Sequence, residues 1–210
     1  MEEKEIHDEL SAIRGLMERS SKFISLSGLS GILAGVYALI GAAVVYLPAP
    51  EAFDHSNNNP DSAALHGVSD FIINIFATIA ILILFASILT AFILSRRQAK
   101  RKGQPIWGTI SKVLLFHMAI PLIAGGIFIL ILIHHSYYGM IVPIMLIFYG
   151  LSLVSASNFT FTDVKYLGLL EIALGLVAAC FPGYGLLIWA IGFGVLHIIY
   201  GSMMYLKYDR

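Results

Sequence analysis

Long apolar runs separated by short polar stretches set the pattern of this chain. Apolar runs cover Phe23 to Leu47, Asp70 or Phe71 to Ser95, Trp107 to His134 and Met140 to Ala156. Two more lie between Lys165 and Lys207, joined by the tight turn Pro182-Gly183-Tyr184-Gly185. A helix of about 20 apolar residues crosses a hydrocarbon core of ~30 Å, so the pattern predicts six spans. Ahead of them, residues 1–22 are charged, with Ile6, Leu10, Ile13 and Met17 on one helical stripe. That spacing predicts an amphipathic helix that lies at the membrane surface or caps the bundle, or else serves as a docking or dimerising helix. It is too short for the three to four heptads of a coiled coil. The expected fold is all-α: a polytopic membrane bundle of six transmembrane helices with an N-terminal amphipathic helix. Residues 1–22 form that helix and 23–210 a single transmembrane domain.

The polar stretches read as connections. Residues 48–68 contain Asn57-Asn58-Asn59-Pro60 and predict a loop, whose Asp54, His55, Asp61 and His66 lack metal-site spacing. A basic loop follows the second span, with Arg96, Arg97, Lys100, Arg101 and Lys102. Pro121 predicts a kink in the third span, which ends at the interfacial turn His134-His135-Ser136-Tyr137-Tyr138-Gly139. Ser157 to Val164 is a short polar loop, whose Asn158-Phe159-Thr160 matches a glycosylation sequon.

Composition narrows the class. The 210 residues are 58% hydrophobic and 12% charged, against about 45–50% and about 25% in soluble domains. The formal net charge is +0, which argues against a nucleic-acid partner and leaves the lipid bilayer as the main one. Cys180 is the single cysteine, so no internal disulfide forms. The acid-rich leader and the length of the first apolar run argue against a cleavable signal peptide.

Six spans put both termini on one side. Every Lys and Arg then falls on that side or in the first two turns of an adjoining span, from Lys4 through the Arg96–Lys102 cluster to Arg210. The opposite side carries Glu51, Asp54 and Asp61 and neither Lys nor Arg. Short-loop Lys/Arg bias sets orientation, so the expectation is an inner-membrane protein with cytoplasmic termini. The sequon would then face the cytoplasm, where it is not used.

Candidate chemistry concentrates in the last two spans. Gly168, Glu171, Gly175 and Ala178 share one face of the fifth, and Ala190, Gly194, His197 and Gly201 one face of the sixth. Small residues let helix backbones approach closely, and each seam holds one ionisable side chain. Glu171 lies 13 residues before Tyr184 and His197 lies 13 after it, which puts both about 20 Å below the turn. The two seams are expected to pack together and pair Glu171 with His197. His117 and Tyr149 reach a similar depth, so the candidate intramembrane polar cluster is Glu171, His197, His117 and Tyr149.

Such a cluster is either polar glue between helices or a proton relay or solute site. Haem ligation by His117 and His197 is a weaker reading with nothing nearby to support it. No nucleophile motif, phosphate loop or zinc spacing occurs, so no catalytic residue, metal or cofactor is expected.

Gly28-Leu29 through Gly35 to Ala38 aligns with Gly168-Leu169 through Gly175 to Ala178, and Tyr149-Gly150 echoes Tyr200-Gly201. These echoes hint at three related hairpins. The pattern of Gly-rich helix, Pro/Gly turn and Gly-rich helix resembles that of the HdeD-type acid-resistance membrane proteins, best in the last hairpin and poorly in the middle one. The reading that follows is a small non-enzymatic interaction or stress-response component of the membrane. The alternative is a proton-coupled or small-solute transporter using Glu171 and His197. The Gly/Ala seams also offer a face for self-association or for a membrane partner.

Overall fold

The computed structural model describes residues 27–47, 65–101 and 107–209. Among them are six long helices and no strand. They are α1 (Gly28–Tyr46), α2 (Leu65–Arg101), α3 (Thr109–His134), α4 (Ile141–Ala156), α5 (Asp163–Cys180) and α6, which runs unbroken over 185–209. Short 3₁₀ turns, Tyr138–Met140 and Pro182–Tyr184, lead into α4 and α6. Five of the helices are long and apolar enough to cross a membrane. The other, α5, has 18 residues and carries Asp163, Lys165 and Glu171. The all-α polytopic bundle is thus the fold observed. The expected amphipathic helix over 1–22 lies outside the described residues, as do Asp54, His55 and Asp61.

One local expectation is corrected. The basic stretch after the second span is not a loop: α2 continues to Arg101, with Arg96, Arg97, Lys100 and Arg101 exposed on its last turns. Arg, Gln, Ala and Lys are all good helix formers, and no Gly or Pro intervenes before Gly103. At about 1.5 Å per residue, the 37 residues of α2 outreach the ~30 Å hydrocarbon core. Pro121 lies inside α3, which runs as one helix over 26 residues. Beside it, Ser152 of α4 donates its hydroxyl to Met118 O at 3.0 Å.

The glycine seams decide which helices pair. The seam of α5 does not face α6 as expected; α5 packs on α4, and α6 packs on α1. A Cβ on Gly168 would sit 2.7 Å from Gly150 O, and one on Gly150 would sit 2.5 Å from Gly168 O. In the other pair a Cβ on Gly28 would sit 2.6 Å from Gly201 O, and one on Gly201 would sit 2.7 Å from Gly28 O. No Cβ fits at such distances, so only glycine permits this backbone contact. Each seam pairs with the helix whose glycine faces it at the same depth, and within the α5–α6 hairpin that match is missing.

The two pairs repeat one another. A shift of 140 residues carries Gly28 and Gly35 of α1 onto Gly168 and Gly175 of α5. A shift of 51 carries Ile147 and Gly150 of α4 onto Ile198 and Gly201 of α6. The contacts follow: a Cβ on Gly35 would meet Ile198 Cγ1 at 2.7 Å, and one on Gly175 would meet Ile147 Cγ1 at 2.6 Å. The sequence echoes thus recur as like contacts in two helix pairs, which are not the three hairpins expected.

Helix α6 joins the pairs. Ile188 and Trp189 pack with Ala38 and Ala42 of α1, Val142 and Leu146 of α4, and Ala178 of α5. Met204 closes a second cluster with Leu153, Phe161, Val164 and Leu167. Helices α2 and α3 flank the assembly, on α1 and α4 respectively. They expose large apolar side chains such as Leu82, Phe85, Leu89, Phe116, Ile123 and Leu130, the surface that lipid solvates.

Candidate functional site

The candidate site lies where α4, α5 and α6 meet. Glu171 is completely buried and His197 is 6% exposed. His197 Nε2 lies 2.7 Å from the Tyr149 hydroxyl, and Nδ1 lies 3.0 Å from Gly192 O. A backbone carbonyl only accepts, so Nδ1 carries the proton and donates to it. In the neutral ring Nε2 then accepts from the Tyr149 O–H, so the imidazole is held at both nitrogens. Glu171 Oε1 approaches the same Nδ1 at 3.4 Å. Neither carboxyl oxygen makes a hydrogen bond to the described residues. Burying a carboxyl without donors is costly, and buried polar groups left this way are rare.

The helix geometry explains how His197 reaches Gly192, five residues earlier. Residues Ala190–Leu196 are π-helical, between α-helical Gly185–Trp189 and His197–Met204. A π turn shifts the backbone ladder by one residue, and such turns are frequent at functional sites. Gly192 also makes room for the carboxyl: a Cβ there would lie 2.7 Å from Glu171 Oε2 and 2.7 Å from Leu146 Cδ2. Aromatic rings shield the triad. Phe193 packs against both Tyr149 and His197, with ring centroids 5.1 and 5.9 Å apart, and Trp189 lies 5.6 Å from Phe193.

Three of the four residues named from sequence therefore come together: Tyr149, Glu171 and His197. The fourth does not. His117 is exposed on α3 and stacks on Phe159 in the turn before α5, with centroids 4.7 Å apart. Depth along a helix does not fix the face, and α3 meets the bundle chiefly through α4. His117 and His197 thus occupy unlike surroundings, one exposed and one buried with both nitrogens engaged. No group of three or more His, Cys, Asp or Glu able to hold a metal occurs among the described residues.

Sequence reasoning missed Gly192 and the π turn. A signal existed: Gly192 falls off the seam of Ala190, Gly194, His197 and Gly201, so seam packing leaves it unexplained. Trp189 was missed too. It is 3% exposed, with its indole N–H unpartnered among the described residues.

A second polar group sits at the far end of the same faces. Asp163, the first residue of α5, accepts from Lys207 Nζ and from the Tyr208 hydroxyl, each at 2.8 Å. The Lys207 hydrogen bond, aided by that of Tyr208 and opposed by burial, holds the Asp163 carboxyl below its ordinary range. Compared with known proteins, the chain matches no family model, no curated protein and no solved structure.

Proposed function

We propose that this chain is a multi-pass inner-membrane protein without enzymatic activity, a small interaction or stress-response component with cytoplasmic termini. In this reading Tyr149, His197 and Glu171 act as an interhelical clasp that binds α6, and α1 with it, to the α4–α5 pair. One observation carries the reading: Glu171 is completely buried, beside an imidazole that the Tyr149 hydroxyl and Gly192 O hold in place. A groove of about 410 Å³ lies at the other end of α6, against Ala42, Tyr46, Tyr184 and Leu187. The charge asymmetry of the sequence supports the orientation.

The second reading, a proton-coupled or small-solute transporter, is favoured by the carboxyl oxygens of Glu171. A clasp does not require an ionisable group without hydrogen bonds inside a span, whereas a proton carrier does. Proton flux across proteoliposomes holding the purified protein separates the two. The clasp predicts no flux above that of Glu171→Gln; a flux that Glu171→Gln abolishes would establish the carrier. Orientation is read by impermeant thiol labelling of intact cells: Asn58→Cys labels and Lys100→Cys does not. The reverse pattern overturns cytoplasmic termini.

A further inference from the structure

The basic end of α2 is chemistry that the triad does not use. Leu82, Phe85, Leu89, Ile93, Arg96 and Lys100 step by three or four residues and so share one face of the helix. All six are exposed, and exposed Arg97 flanks them. Ser95, Gln98 and Ala99 are buried, so this end of α2 has a covered side and an exposed one. The ion pairs among the described residues join Glu171 to His197 and Asp163 to Lys207, and neither engages these cations. Helix register sets their depth. The Tyr37 hydroxyl of α1 lies 3.3 Å from Thr90 Oγ1, and a Cβ on Gly41 would meet Ile79 Cγ2 at 2.9 Å, so α1 and α2 run antiparallel. Arg96 and Lys100 lie about 9 and 15 Å beyond Thr90, which puts them level with Gly31 and Ser27 at the start of α1. The 19 residues of α1 measure about 28 Å, close to the thickness of the hydrocarbon core. The cations therefore leave the helix at the edge of that core, where long basic side chains reach up to the headgroups.

We propose that this face of α2 holds an anionic phospholipid, with its headgroup on Arg96, Arg97 and Lys100 and an acyl chain along Ile93, Leu89 and Phe85. A zwitterionic lipid brings its own ammonium group, whereas three cations without a carboxylate favour net negative charge. The guanidinium forks of Arg96 and Arg97 match phosphate oxygens two at a time. Each cation near an anionic surface is worth about fivefold in affinity. The acids of residues 2–9 are the competing occupant. The part of that segment nearest Ser27 is basic instead, with Arg14, Arg19 and Lys22 against Glu18 alone. The cations also continue the strip of apolar side chains that lipid already bathes, which favours the lipid.

This inference goes beyond the clasp and concerns another helix, so its failure leaves the clasp standing. The test is quenching of a tryptophan at Ile93→Trp by dibrominated lipid, in a Trp107→Phe background. Trp189 is 3% exposed and serves as a constant signal. Vesicles mix phosphatidylglycerol with phosphatidylcholine, with bromine on one or the other. With the cations intact, phosphatidylglycerol is expected to displace phosphatidylcholine with a relative binding constant of about five or more at low salt. The constant should fall toward one at about 0.5 M salt. Arg96→Gln with Arg97→Gln and Lys100→Gln should bring it to about one at an unchanged thermal midpoint. Lys112→Gln with Lys165→Gln, exposed cations on α3 and α5, should leave it as it was. A constant near one with the cations intact overturns the proposal, as does a preference that survives the triple change or high salt. Equal loss in the Lys112 and Lys165 pair also overturns it, by showing general attraction to the vesicle. A preference that appears only when Glu2, Glu3, Glu5, Asp8 and Glu9 are changed to their amides assigns the strip to those acids instead. Should the triple variant fail to fold, Arg97→Gln alone and the salt series decide.

Discussion

The Tyr149 hydroxyl lies 2.7 Å from Nε2 of His197, and this bond joins α4 to α6 across the centre of the bundle. It is shorter than the 3.4 Å contact of Glu171 with the same imidazole. The hydroxyl therefore fixes the ring, and the carboxyl lies beside a ring already fixed. A double-mutant cycle of Tyr149→Phe and His197→Ala should give a coupling of about 0.6–1.7 kcal/mol, the span measured for hydrogen bonds between membrane helices. His197→Ala alone should cost about 2–4 kcal/mol, since it opens a cavity and strands Gly192 O and the Tyr149 O–H. Unfolding in mixed micelles measures both. Additive single effects would show that the bond holds nothing together.

Asp163 makes a pH prediction of determinate sign. Its carboxyl is held below the ordinary range in the folded protein, chiefly by Lys207. A group depressed in this way contributes stability above its unfolded pKa of about 3.9, and that contribution is lost as pH falls through the folded value. Wild-type stability should therefore hold from neutral pH down to about pH 4 and decline below it. Asp163→Asn should be less stable at neutral pH and show a shallower acid decline. Thermal midpoints across an acid titration test this, and parallel curves for the two proteins would exclude the carboxylate as the cause.

Much of the fold was legible because span length and apolarity act over whole segments. The bounds of α3, α4 and α5 follow from runs of apolar residues ended by Gly, Ser or Pro. Partner choice was not legible. The seams of α5 and α6 are adjacent in sequence, yet each packs on a helix outside its own hairpin, because backbone contact needs a glycine on both sides. Gly150 and Gly28 supply it. Glu171 and His197 meet all the same, since α6 crosses both α5 and α4. His117 failed for a related reason: residue counting gives depth but not the face a helix turns inward.

The repeated glycine contacts should behave alike. Gly168→Ala and Gly28→Ala each drive a Cβ against a carbonyl of the partner helix, and each should destabilise by about 1–3 kcal/mol. Gly126 is the internal control: it is exposed on α3, and a Cβ there meets nothing within 4 Å. Gly126→Ala should be neutral, or slightly stabilising through helix propensity. No loss at Gly28 would show that α1 and α6 do not pack as described, and a large loss at Gly126 that this face of α3 is not open. Midpoints of the three variants in one detergent settle the comparison.

Gly192 tests the site through the space it leaves. In Gly192→Ala the new methyl must displace either the Glu171 carboxyl or the Leu146 side chain, each 2.7 Å from its position. Backbone cannot yield easily on this π turn, because Gly192 O also accepts from His197. Overpacking of this kind costs about 1–3 kcal/mol. Shortening the displaced group should relieve it, so Gly192→Ala combined with Glu171→Ala should cost less than the two changes summed. Gly192→Ala with Gly126→Ala, which share no neighbour, should simply add. If the first pair also adds, the carboxyl does not occupy the space beside Gly192, and the arrangement of Glu171 against His197 must be redrawn.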